Sequence, residues 1–146
     1  MSSIATSQLE LRDVSHDARL SEYWTKRYES HKQSYLRRTV PMRLGELASA
    51  LGHVRAATEP PLNETTARHF IEASLFYIEW TQAETNAALQ SELDLLRQQL
   101  IEWLQTWPLA WNDAVKRSGL ATSANVWAQK IVAHSGLLDP NNPYAR

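Results

Sequence analysis

Apolar residues recur along this chain at the spacing of helices, and the clearest stripe runs from Leu89 to Trp107. Leu89, Leu93, Leu96, Leu100, Trp103 and Trp107 follow one another at alternating steps of four and three, which holds one face of a helix apolar. Leu95, Ile101 and Leu104 widen that face, so the helix is expected to meet more than one neighbour. Ahead of it, Thr81-Gln82-Ala83-Glu84 has the form of a capping box. Upstream, Leu20, Trp24, Tyr28, His31 and Tyr35 share one side of a helix that a Ser15 cap and Asp17 would open and that runs toward Arg38. Such an aromatic face either fills a core with its phenols at the rim or lines a groove for a ligand or peptide, and packing is the commoner outcome.

The pattern continues in shorter units. Pro41 suits the start of a second helix, whose apolar face is Leu44, Leu47, Leu51 and Val54. Beside that face run Gly45, Ser49, Gly52 and Ala56, a line of small residues that lets another helix approach closely, within the chain or across a dimer. Glu59-Pro60-Pro61-Leu62 reads as a linker and Asn63 as the cap of a third helix. No glycine or proline occurs from Asn63 to Trp107, but the polar stretch Glu79 to Asn86 predicts a break near Thr81. Beyond Pro108 an apolar side continues through Trp111 to Ser118. Gly119 is expected to end that helix, Thr122 or Ser123 to cap the last one, and Ser135-Gly136 to stop it.

These elements predict an all-α fold, a bundle of five or six mostly antiparallel helices. A single domain is expected over 15–138, between a flexible arm at 1–14 and a turn-rich tail at 139–146. Composition agrees: 19 leucines and 18 alanines outweigh 11 valines and isoleucines, and β-branched residues are those a sheet prefers. With no cysteine, disulfides, thiolate metal sites and a cysteine nucleophile are excluded. Neither a leader nor a membrane-spanning apolar run is evident, so a cytoplasmic protein with no membrane partner is expected.

A net charge of −1 gives no general pull toward nucleic acid, but the charges are segregated. Seven basic residues between Lys26 and Arg55 face two glutamates, and eight acidic residues between Glu59 and Glu102 face two arginines. Lys32, Arg37, Arg38 and Arg43 are therefore candidates for an acidic partner.

Chemistry is sparse. There is no glycine-rich phosphate loop and no nucleophile elbow, so no catalytic residue is named. His53, His69, Glu72 and Glu79 could converge on a metal. Carboxylate-bridged sites in bundles need a Glu-x-x-His pair on each of two helices, however, and here the order is reversed and occurs once. No cofactor is expected. Val115 to Val126 has the local grammar of a helix-turn-helix, with Lys116, Arg117, Thr122, Ser123 and Lys130 as candidate DNA contacts. From Trp103 onward, though, four basic residues against two acidic ones make a thin footprint for phosphates. Trp103, Trp107 and Trp111 at four-residue steps would form a docking ladder if partly exposed. The reading that uses most of these features is a non-enzymatic interaction, adaptor or regulatory protein. It would bind another protein, or a second copy of itself, through helix faces.

Overall fold

The computed structural model describes residues 18–136, which form six α-helices and no strand. The helices are α1 (Ala18–Leu36), α2 (Val40–Ala57), α3 (Glu64–Thr81), α4 (Ala87–Gln105), α5 (Trp107–Asn112) and α6 (Ala114–Ser135), with a 3₁₀ turn at Gln82–Glu84 between α3 and α4. The expected all-α bundle is what forms. The arm at Met1–Val14, the Ser15 and Asp17 cap and the tail at 139–146 lie outside the described residues.

Local chemistry sets the ends of the helices. Asn63 Oδ1 accepts the Thr66 amide at 3.0 Å to open α3, and Asp113 Oδ1 accepts the amides of Val115 and Lys116 at 2.9 and 3.0 Å to open α6. Each satisfies amides that have no partner inside the helix. Thr39 caps α2, with Pro41 in its first turn. Gly136, at φ 80°, ends α6 in the left-handed conformation that glycine adopts without a Cβ penalty.

Two expectations are corrected. Thr81 does not cap α4. It ends α3 and turns its hydroxyl into the core, where it donates to the Tyr35 hydroxyl at 3.2 Å. The chain then makes its 3₁₀ turn, and Asn86 opens α4 by accepting the Leu89 amide at 2.9 Å. Gly119 likewise ends nothing: α6 runs through it to Ser135, and Thr122 and Ser123 sit inside the helix. A glycine in a helix costs only about 1 kcal/mol, and Leu120 and Ala124, both buried, hold that stretch against the core.

The buried side chains form one cluster. Leu47, Leu51 and Val54 of α2, Ile71 and Ile78 of α3, Leu93, Leu96, Leu100 and Leu104 of α4, and Ile131 of α6 are at its centre. Helix α2 lies between α3 and α6 and packs extensively on both. Helix α1 is held to α3 by rings: Tyr28 meets Phe76 and Trp80 edge-on, and Tyr35 stacks on Tyr77 at 4.5 Å. The Trp80 indole donates to the Tyr28 hydroxyl at 3.1 Å.

Candidate interaction surface on the α2–α6 seam

Helices α2 and α6 run antiparallel. At one end of their seam Gly45, Ala48 and Ser49 face Ala128, Gln129, Val132 and Ala133 across an open groove of about 490 Å³. At the other end Arg55, Thr58 and Glu59 face Arg117, Ser118, Thr122 and Asn125 across a polar cleft of about 420 Å³. The pairing of low numbers on α2 with high numbers on α6, and the reverse, fixes the direction. One long seam is therefore apolar at one end and hydrogen-bonding at the other.

The small-residue line on α2 borders this seam. Gly45 and Ser49 line the groove that α6 faces. Gly52 and Ala56 do not share that contact. A Cβ placed on Gly52 would meet no atom within 4 Å, and Ala56 is exposed. On α6, Val115, Gly119, Thr122, Val126, Gln129 and Ala133 follow steps of four and three and are all exposed. That face carries no charge over 19 residues, and at Gly119 too a Cβ would find open space. The sequence reading divided this stretch at Gly119 and so missed the stripe, which appears only when α6 is continuous.

The basic candidates divide into two groups. Arg43 is buried: Nε donates to the Arg38 carbonyl at 2.9 Å, Nη2 to the Leu36 carbonyl at 3.1 Å and Nη1 to Glu84 at 2.6 Å. It clamps the α1–α2 corner to the 3₁₀ turn and offers nothing to a partner, which corrects its place among the surface candidates. Arg38 pairs with Glu46. Lys32, over the ring of Tyr28, and Arg37, which is exposed, remain at the surface.

Trp103, Trp107 and Trp111 do not form an exposed ladder. All three are buried, with Trp107 and Trp111 stacked at 5.5 Å and the Trp107 indole donating to Glu64 at 3.2 Å. The helix-turn-helix grammar is also absent, because Val115 to Val126 lies within a single helix. Arg117 donates to the Trp111 carbonyl at 2.7 Å, and Lys130 lies over the Trp127 ring and pairs with Glu92 at 3.3 Å. Lys116, Thr122 and Ser123 are thus spread along one continuous helix and not gathered on a recognition helix. Among the described residues no group of three or more metal-ligating side chains comes together. His53 stacks on Phe70 at 4.5 Å, His69 stacks on Trp24, and Glu72 is buried, so the four candidates do not converge. No described helix is long and apolar enough to cross a membrane.

The aromatic face of α1 does border a pocket. A cleft of about 270 Å³ between α1, α2 and α3 is lined by His31, Tyr35, Arg38, Glu46 and Tyr77, with Ser30 and Ser34. Burial raises the pKa of Tyr35, and burial with the nearby Glu46 carboxylate pushes Tyr77 up to about 12. Both phenols therefore stay neutral and act as hydrogen-bonding walls. No family model, curated protein or solved structure matches the chain.

Proposed function

We propose that the protein is a non-enzymatic interaction module that takes an α-helix of another protein along the α2–α6 seam. The observation that carries this reading is the exposed, uncharged stripe of α6, lying beside a groove floored by alanine, glycine and valine. A helix laid in such a groove is read through anchors at i, i+3, i+4 and i+7. Small apolar anchors fit the Gly45–Ala133 end, and a carboxylate fits the Arg55–Arg117 end, where Arg55 gives only an exposed pair to Glu59. A second copy of this chain is the poorer occupant. Outside α6, the large exposed apolar side chains among the described residues, Leu36, Met42, Leu62, Leu95 and Leu109, stand one to an element or linker and form no ridge to fill the groove.

Selection of helical peptides from a random library against the purified protein tests the reading. The expected binders share small apolar anchors and an acidic end, and lose affinity at least tenfold against Val126→Glu or Ser49→Glu. Both positions are exposed, so the fold survives those changes. Binders indifferent to both substitutions would remove the seam from the proposal. Light scattering that shows a dimer abolished by either substitution would replace the foreign helix with a second copy.

A further inference from the structure

The N-terminal half of the described α1 is held to α3 through a cage of rings that contains two histidines. Tyr23, Trp24 and His31 of α1 meet His69 and Phe76 of α3. The Trp24 ring lies parallel to His69 at 5.9 Å and tilts onto Phe76 at 4.5 Å. Tyr23 meets His69 edge-on at 5.0 Å, and its hydroxyl is hydrogen-bonded to His31 Nε2 at 2.8 Å. Trp24 itself is buried, and its indole nitrogen has no hydrogen-bond partner among the described residues, whose contacts with it are apolar and ring contacts. We propose that this cage is an acid-sensitive latch: protonation of His31 and His69 releases the Tyr23–His31 half of α1 from α3 while the α2–α3–α6 core stays folded.

The charges facing the two imidazoles set the direction. His31 faces Tyr23, Arg27 and Tyr35 from its own helix, Arg38 from the α1–α2 corner, Glu46 from α2, and His69 and Tyr77 from α3. Burial is the largest influence on it and disfavours the cation, and Arg27, which lies over the Tyr23 ring at 4.9 Å, adds repulsion. Glu46 opposes both more weakly. His69 faces Tyr23, Trp24 and His31; burial lowers its pKa first and His31 second. Stacking of an imidazolium on Trp24 recovers part of that cost, but two imidazoliums in one cage repel each other. The hinge is at hand, because α1 ends at Leu36 and the Arg43 clamp grips the Leu36 and Arg38 carbonyls below the cage.

The sign follows from linkage. Both histidines titrate lower when docked than the ordinary 6.5 they regain when released. The released form therefore binds more protons, and docking is complete above that value and weakens as pH falls below it. If both take up a proton on release, the ratio of docked to released helix falls by as much as about a hundredfold per pH unit, against about tenfold for one.

A heteronuclear NMR titration of the full chain between about pH 8 and about pH 5 decides it. The expected result is loss of the docked Tyr23–His31 amide signals in step with titration of the two rings, while α2 and α6 signals keep their positions. The double variant His31→Gln/His69→Gln should hold those amides docked through the same range. If it fails to fold, the wild-type titration still decides through its ring signals. Rings that titrate at the ordinary value, or that protonate while α1 stays docked, would overturn the latch.

Discussion

At the scale of single residues, Arg43 shows how a charge can be misread from sequence alone. It sits in a basic block and reads as surface, yet it is buried at the α1–α2 corner and satisfies two main-chain carbonyls that have left their helix. Arg43→Met should therefore cost about 2 kcal/mol in urea unfolding, chiefly for carbonyls left without a donor. The half-exposed Glu84 adds little, so Glu84→Gln should cost well under that. Gly52 and Gly119 lead to the opposite expectation. Both adopt ordinary helical backbone, since Gly136 alone among the described glycines has positive φ, and neither has an atom where a Cβ would go. Gly52→Ala and Gly119→Ala should each raise stability by about 0.5–1 kcal/mol, measured as a shift of the urea midpoint with unchanged slope.

At the scale of elements, the stripes were legible and the punctuation was less so. Leu89, Leu93, Leu96 and Leu100 face the core as their spacing requires, and Asn63 and Ser135-Gly136 mark helix ends as their chemistry suggests. The errors fall where one side chain has two possible partners. Thr81 could have capped α4, but its hydroxyl reaches Tyr35 inside the core, a contact 46 residues away that no local pattern records. Gly119 could have ended a helix, but burial of Leu120 and Ala124 on either side of the next turn carries α6 through it. The α2–α6 groove was half legible: the α2 line was visible, while its opposite wall needed an unbroken α6. Cap substitutions discriminate between the two starts of α4. Asn86→Ala should cost about 1 kcal/mol, as loss of a working cap does. Thr81→Val should disturb the Tyr35 contact and leave α4 helicity, followed by amide exchange in α4, unchanged.

At the scale of the whole molecule, indole burial turns the packing into a single optical measurement. Trp24, Trp80, Trp103, Trp107 and Trp111 are each buried to 8% exposure or less, whereas Trp127 is only half-buried on α6. The five belong to the contacts that join elements: Trp24 and Trp80 bind α1 to α3, and the Trp107 indole reaches Glu64 at the start of α3. Iodide should therefore reach one indole of the six. The Lys130 ammonium, 4.7 Å above the Trp127 ring, draws the anion to that same indole. Quenching should be partial, with an accessible fraction near that of one tryptophan, and Trp127→Phe should abolish nearly all of it. A larger accessible fraction would mean that rings packed between helices are open to solvent, and the arrangement of α1 and α5 on the core would be wrong. Because Trp127 lies on the flank of α6 beside the uncharged stripe, a peptide bound in the seam should leave its quenching nearly unchanged. The tenfold sensitivity to Ser49→Glu, at a position that lines the groove, would then report on the groove itself and not on a general masking of α6.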